Sequence, residues 1–179
     1  LGLPPLQEGQ VLVEIAYSGV CHTQVLEADG KRGPDRFLPH TLGHEGSGKV
    51  LAAGPGVSKI ELGARVVLSW IKGSGANAAP AAYAGPDGKV NSGPISTFMR
   101  HAIVSENRLT SIPDGMPLRE GALLGCALLT GAGIAFNAAQ VQEGQTVGVF
   151  GCGGIGLSAI LGAKLRGAGT IVAIDVLDE

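Results

Sequence analysis

The first part of the chain alternates short apolar segments with turns, in the pattern of β-strands. Val11, Val13, Ile15 and Tyr17 occupy every second position, as in a strand with one buried face. Further strands are predicted from apolar runs bounded by glycine or proline turns, at 50–53, 65–70 and 97–104. With few helices among them, these strands predict a small β-barrel or sandwich up to about Pro113.

Two segments interrupt this strand pattern. Thr23 is predicted to be the N-cap of a short helix that continues through Glu27. The segment Lys72–Pro94 lacks periodicity and is rich in Gly, Ala and Pro, so we predict an unusually long loop there.

After Pro117 the pattern becomes helical. Leu118–Leu129 and Ile134–Ala139 are predicted helices, and Gly144 precedes a buried strand. A domain boundary is therefore predicted near Thr130, which gives domains 1–129 and 130–179. The predicted fold class is mixed β and α/β.

A glycine fingerprint follows that strand. Gly151, Gly153 and Gly156 form G-x-G-x-x-G where a helix begins, and a second apolar run ends at Asp175. These glycines permit a tight turn, a close approach of pyrophosphate and close packing of helix on strand, while the acid suits the ribose hydroxyls of NAD. The alternative is a glycine-rich turn of an α/β protein without a ligand.

The amino-acid composition argues against some classes of binding partner. The 179 residues are 45% hydrophobic, and 13 basic and 15 acidic residues leave no basic surface for nucleic acid or an anionic membrane. The uncharged stretches 121–142 and 144–163 contain polar residues or the glycine fingerprint, so we interpret them as buried segments and expect no membrane partner. No secretory signal is visible, and we expect a cytoplasmic protein.

The cysteines and one histidine indicate a metal site. Cys21 and His44 each lie on a glycine-flanked turn beside a strand, and the third ligand of an open catalytic site would be Cys126 or, less plausibly, Cys152. The alternative is a core cysteine and a histidine that bind no metal. His40 and His101 are interpreted as surface or strand-end residues.

Four ordered motifs resemble the zinc-dependent alcohol dehydrogenases of the medium-chain dehydrogenase/reductase superfamily. They are GVCHT at 19–23, GHEGSG at 43–48, GC-x-x-x-TG at 125–131 and GCGGIGL at 151–157. The resemblance implies a GroES-like β-barrel domain followed by the first βαβ unit of a Rossmann domain. It also implies one catalytic zinc and NAD as cofactors.

The resemblance also implies roles for single residues. Cys21, His44 and Cys126 would be the zinc ligands, Glu45 the acid behind the metal and Thr23 the hydroxyl that passes the alcohol proton. His22 would contact the pyrophosphate and assist proton transfer. The dinucleotide contacts would come from the fingerprint and the acid: Gly151, Gly153, Gly154, Ile155, Gly156 and Asp175.

Some positions depart from the family pattern. Gln24 stands where the family often has an aspartate, and Leu26 stands where some members have a proton-relaying histidine. Lys72–Pro94 contains no cysteine, so we expect no structural zinc.

These observations predict an oxidoreductase that transfers hydride between a primary or secondary alcohol and NAD, as a fragment of a longer enzyme that forms homo-oligomers. The expected partner is a small alcohol or aldehyde. One alternative is a non-catalytic fragment that binds zinc or adenylate without turnover. A zinc-free reductase of the same superfamily is the other, and Cys21 and His44 together argue against it.

Overall fold

The computed structural model describes residues 1–177, which form two compact units, Leu1–Gly125 and the chain from Cys126 onward. Each unit has a hydrophobic core of its own. The units are described separately below.

The first unit consists mainly of strands. Its elements are β1 (Gln10–Ser18), α1 (His22–Ala28), β2 (Glu45–Ala53), β3 (Arg65–Ser69), β4 (Ala82–Gly85), β5 (Gly88–Asn91), β6 (His101–Ser105), β7 (Leu109–Ser111) and α2 (Leu118–Ala122). Short 3₁₀ turns follow β6 at Glu106–Arg108 and α2 at Leu123–Gly125. The prediction of a β-rich first part is confirmed.

Five of these strands form one antiparallel sheet in the order β6-β1-β2-β3-β7. Val11 and Val13 of β1 are fully buried and pair with Val104 and Val50. Tyr17, predicted for the buried face, is half exposed, because the β1–β2 register shifts between Ile15 and Tyr17. Such a shift moves the following side chain to the other face.

Two local predictions in this unit are wrong. Thr23 lies inside α1, whose N-cap is Cys21 with an extended backbone. The segment Lys72–Pro94 contains the hairpin of β4 and β5, in which Tyr83 pairs with Val90. Small residues hide the period of this hairpin, which is held to the larger sheet where the amide of Ile103 donates to the Tyr83 hydroxyl at 2.8 Å.

The second unit combines helices with a parallel strand pair. Its elements are α3 (Ala127–Gly133), a π-helical turn (Ile134–Ala138), β8 (Thr146–Phe150), α4 (Gly154–Leu165) and β9 (Thr170–Ile174). The predicted helix 118–129 is therefore interrupted, because Cys126 has a non-helical backbone with φ −148° and ψ −69°.

α4 connects β8 to β9, which pair in parallel from Thr146–Thr170 to Phe150–Ile174. Their core contains Ala135, Val141 and Ala163. Because β8 and β9 end level with each other, the residues that follow them share one edge of the pair.

Within residues 1–177 no single helix is both long and apolar enough to cross a membrane. The segments Leu118–Gly125 and Ala127–Ala138 would meet the length and composition criteria only when taken together.

Candidate metal and dinucleotide sites

Cys21 and His44 lie together because β1 and β2 are antiparallel neighbours. Ser18 at the end of β1 pairs with Gly46 near the start of β2, so the short segment after β1 that leads to Cys21 lies near His44, the residue before β2. The cysteine sulfur and a ring nitrogen of His44 lie within 4.8 Å of each other. A thiolate and an imidazole at this separation can share one zinc ion.

The backbone that follows His44 is fixed by three hydrogen bonds to one carbonyl. The Glu45 carbonyl accepts from the Ser18 and Thr97 hydroxyls, each at 3.1 Å, and from the Gly19 amide at 3.2 Å. Gly43 has φ +94°, and a Cβ there would lie 2.4 Å from the Thr97 hydroxyl. Thus a glycine and two hydroxyl groups hold the backbone on either side of His44 in place.

The side chain of Glu45 is buried between two glycines. It is 2% exposed, and a Cβ at Gly19 would lie 2.7 Å from its carboxyl group. A Cβ at Gly125 would lie 2.7 Å from the Glu45 Cβ. These close approaches give a physical reason for the glycines that precede the two predicted cysteine ligands in GVC and GC.

Cys126 is the first residue of the second unit and follows Gly125 directly. Within the first unit, the Ser69 hydroxyl donates to the Gly125 carbonyl at 2.7 Å. Cys126 is buried, forms no disulfide and is the N-cap of α3, where its carbonyl accepts from the Thr130 hydroxyl at 2.8 Å.

The other predicted catalytic residues begin α1. His22 is exposed and Thr23 is half-buried, while Gln24 is 6% exposed. The Gln24 amide donates to Glu27 Oε2 at 2.8 Å, so this side chain contacts a residue that the sequence did not indicate.

That residue belongs to a second group of potential metal ligands. The ligand atoms of Glu27, Asp35 and His40 all lie within 4.8 Å of one another. His40, interpreted as a surface or strand-end residue, forms an isolated bridge with Asn91 at the end of β5, but its side chain is only 10% exposed and its Nε2 lies 2.6 Å from Asp35. The interaction with the Thr41 carbonyl and then that with Asp35 raise the pKa of His40, against the effect of burial.

The glycine fingerprint forms the tight turn between β8 and α4. Gly151 has φ +92°, and a Cβ at Gly156 would lie 1.7 Å from the Gly151 carbonyl oxygen. In contrast, a Cβ at Gly153 would meet no described atom within 4 Å. The loop is therefore closed on its inner side and open at Gly153, the N-cap of α4.

Asp175 follows β9 and contacts this loop. Its carboxylate accepts from the Cys152 amide at 2.5 Å and from the Val176 amide at 2.7 Å. The bonds from Cys152, Leu177 and Val176 lower the pKa of Asp175, so the carboxylate is ionised at neutral pH. A cavity of about 500 Å³ in the second unit adjoins the fingerprint and is lined also by Ile134, Val141 and Val149.

Comparison with known families matches residues 7–114 to the alcohol dehydrogenase GroES-like domain. The chain belongs to the alcohol dehydrogenase family. The resemblance noted from the four motifs is thereby confirmed, and the strand-rich first unit contains the matched domain.

The curated proteins to which the chain is similar include several dehydrogenases. The chain is 36% identical to S-(hydroxymethyl)glutathione dehydrogenase of Photobacterium damsela subsp. piscicida, over 98% of this chain and 54% of that protein. It is 38% identical to geraniol dehydrogenase of Castellaniella defragrans, over 93% and 51% of the two chains. The chain thus spans about half the length of the curated relatives it matches.

Solved structures show the same relationship. Benzyl alcohol dehydrogenase from Acinetobacter calcoaceticus matches with a TM-score of 0.83 and 32% identity, over 98% of this chain and 54% of that one. A zinc-binding domain protein of the alcohol dehydrogenase type from Burkholderia ambifaria matches with a TM-score of 0.85 and 30% identity, again over 98% and 54% of the two chains.

Sequence reasoning missed the polar groups around the Cys21–His44 pair. Ser18 and Thr97 are separated by 79 positions and carry no motif, and only the sheet brings them to one carbonyl. The second group was missed because Asp35 and His40 lie in a segment without periodicity. Their signal was the close spacing of an acid and a histidine.

Proposed function

We propose that the chain is the catalytic domain and the first dinucleotide-binding βαβ unit of a zinc- and NAD-dependent alcohol dehydrogenase. The observation that carries this proposal is the pairing of Cys21 with His44, on the strand ends of the matched domain. Sulfur and imidazole donors suit zinc, and an open site with three protein ligands is the arrangement of catalytic zinc.

Cys126 would be the third ligand. Gly125 packs against Glu45 and is bonded to Ser69, and consecutive Cα atoms lie about 3.8 Å apart. Chain connectivity therefore keeps Cys126 near the residue that follows His44. The proposed domains are 1–129 and 130–179, so that all three proposed ligands belong to the first domain. We propose one catalytic zinc ion and no structural zinc.

The dinucleotide would bind at the fingerprint. Open space at Gly153 would admit pyrophosphate, which Gly154, Ile155 and Gly156 would contact at the start of α4. His22 would contact the same group in the complete enzyme. The ionised Asp175 would accept hydrogen bonds from the ribose hydroxyls, which favours NAD over a cofactor with a 2′-phosphate.

Bound zinc would supply Lewis acidity toward a substrate oxygen, and NAD would accept hydride. The chain's own groups would orient these partners and move the proton. Thr23 Oγ1 would accept the hydroxyl proton of a small alcohol and pass it to His22 or water. Buried Glu45 would lie behind the metal ligands, where its carboxyl group would influence the electrostatic potential at the metal.

A second candidate is a fragment that binds zinc or adenylate without turnover. It is favoured by the coverage of the relatives, since the chain spans 54% of the first of them. A Rossmann fold needs two such halves to complete its crevice. Oligomerisation of a longer enzyme and its substrate preference remain predictions.

Two measurements on the purified chain test these candidates. One zinc ion per chain is expected to depend on Cys21, and ADP-ribose should bind more weakly by about tenfold when Asp175→Asn removes the charged acceptor. NADH formation with benzyl alcohol and geraniol then separates the candidates. Turnover supports the dehydrogenase, binding without turnover supports the fragment, and the absence of zinc binding contradicts both readings of the Cys21–His44 pair.

A further inference from the structure

We propose that Glu27, Asp35 and His40 form a binding site for a divalent transition-metal ion, separate from the Cys21–His44 pair. Glu27 lies in the last turn of α1, and the other two residues lie between α1 and β2. His40 Nε2 is 2.6 Å from Asp35 Oδ2 and 3.9 Å from Glu27 Oε1. The fold therefore converges one imidazole nitrogen and two carboxylates on a single point.

The hydrogen bonds of His40 determine which ring nitrogen faces this point. Its Nδ1 lies 2.9 Å from the Thr41 carbonyl, which can only accept, so Nδ1 carries a proton. In a neutral ring the lone pair is then on Nε2 and faces the Asp35 carboxylate, which is also an acceptor. A distance of 2.6 Å is that of a hydrogen bond, so a proton links the two atoms, and a bound metal ion would replace that proton.

This arrangement is the one that metal-binding histidines adopt. A histidine ligand usually donates its second ring N–H to a backbone carbonyl or a carboxylate, which fixes the ring and directs the other nitrogen at the metal. Thr41 performs this role for His40. Asp35 is also held, because its Oδ1 accepts from the Phe37 amide at 2.8 Å and leaves Oδ2 toward the ring.

A buried amide beside the group supplies an independent indication of a ligand. Gln24 is 6% exposed and its Nε2 donates to Glu27 Oε2, so the amide lies beside one member of the group. Its Oε1 is buried and has no hydrogen-bond partner among the described residues. Buried acceptors seldom remain unsatisfied, and an amide oxygen is a suitable ligand, directly or through water, for a hard cation.

The donor set indicates the type of metal ion. One imidazole with carboxylate and amide oxygens suits Mn²⁺, Fe²⁺ or Zn²⁺ and lacks the thiolates that make the Cys21–His44 site selective for zinc. Two carboxylates would neutralise a divalent charge. Mn²⁺ is therefore the probe of choice, because thiolate ligands hold it weakly.

The experiment uses the purified chain loaded with one equivalent of Zn²⁺ and titrated with Mn²⁺, with free Mn²⁺ followed by electron paramagnetic resonance. We expect one Mn²⁺ to bind per chain, and His40→Gln and Asp35→Asn each to weaken binding by at least about tenfold. His101→Gln, which changes another histidine of the first unit, should bind as the parent chain does. Circular dichroism of each variant checks that the fold is retained.

Two further arms separate this site from the other one. Cys21→Ser should lose the first zinc but keep the Mn²⁺ site, and dialysis of this variant against Zn²⁺ should still give one His40-dependent ion. The proposal is overturned if neither Mn²⁺ nor Zn²⁺ uptake differs between the parent chain and His40→Gln. In that case a proton occupies the gap between His40 and Asp35.

Discussion

Thr97 helps to hold the backbone next to the proposed ligand His44, although it is not itself a proposed ligand. It is 1% exposed, and its hydroxyl contacts both the Glu45 carbonyl and, at 2.7 Å, the Ser18 hydroxyl. Because the Glu45 carbonyl is in the residue after His44, these contacts restrict where the imidazole can point. Residues that orient ligands in this way affect metal affinity nearly as strongly as ligands do.

Thr97→Val removes the hydroxyl at nearly constant volume. We expect zinc affinity to fall about tenfold, since the carbonyl of Glu45, the residue after His44, loses one of its three hydrogen-bond donors. Thr97→Ser keeps the hydroxyl and should stay close to the parent chain. Competition with a chromogenic chelator measures both values, and equal affinities for the two variants would show that the hydroxyl has no such role.

Glu106 is a fully buried carboxylate that stabilises loops rather than binding a ligand. It is 0% exposed, and its oxygens accept from the amides of Ser58 at 2.8 Å, Lys59 at 2.5 Å and Ala76 at 2.6 Å. Burial acts to raise the pKa of Glu106, but these amides outweigh it and lower the pKa below 4.5. Its contribution to stability is therefore present above that pH and lost as the pH falls through the folded-state pKa.

Glu106→Gln should lower the free energy of unfolding at neutral pH by about 1–3 kcal/mol, because the new NH₂ group faces an amide donor. Its stability should also decline less steeply than that of the parent chain as the pH falls from about 5 to about 3. Urea denaturation across this range gives both results, with exposed Glu61→Gln as the control. Parallel curves for Glu106→Gln and the parent would contradict the assignment.

At the level of elements, close contact between α3 and α4 depends on glycine. A Cβ at Gly131 of α3 would lie 2.2 Å from the Ile155 carbonyl oxygen and 2.4 Å from the Ser158 Cβ. A Cβ at Gly162 of α4 would lie 2.9 Å from the Cα of Ala132. Gly133, in the same helix as Gly131, would meet only the end of the Asn137 side chain at 3.7 Å.

Gly131→Ala and Gly133→Ala form a matched pair in one helix. The first should destabilise the second unit by about 1–3 kcal/mol through overpacking. The second should be neutral or stabilising by about 0.5–1 kcal/mol, because alanine loses less conformational entropy. Thermal unfolding compares them, and equal effects would mean that α3 and α4 do not pack this closely.

The sequence predicted those elements whose pattern is local. β1 follows from alternating Val11 and Val13, and the turn at Gly151–Gly156 follows from glycine spacing. The break at Cys126 was missed because the apolar residues around it suit a helix. The hairpin of β4 and β5 was missed because its pairing with the rest of the sheet depends on contacts distant in sequence, such as Tyr83 with Ile103.

The same distinction applies to the two candidate metal groups. Sequence motifs alone indicated Cys21 and His44, since family resemblance identifies residues that carry chemistry. Glu27, Asp35 and His40 match no motif, and their proximity follows from the path of the chain between α1 and β2. The sequence therefore indicated Cys21 and His44, whose ligand atoms the fold brings within 4.8 Å of each other, and did not indicate the second group.

At the level of the whole molecule, the chain combines a matched alcohol dehydrogenase domain with one parallel strand pair, and spans about half of its relatives. The first unit has the larger core. In the second, Phe150 beside the fingerprint is 81% exposed. β8 and β9 share a core with α4, which is the packing that a pair of strands needs to be stable in water.

The zinc environment can be measured by X-ray absorption spectroscopy, on the His40→Gln variant with one equivalent of Zn²⁺. We predict two sulfur ligands at about 2.3 Å and one imidazole nitrogen at about 2.0 Å. One sulfur should disappear in Cys126→Ser but not in the control Cys152→Ser. A spectrum with only nitrogen and oxygen ligands, or an unchanged sulfur count in Cys126→Ser, would contradict the proposed site.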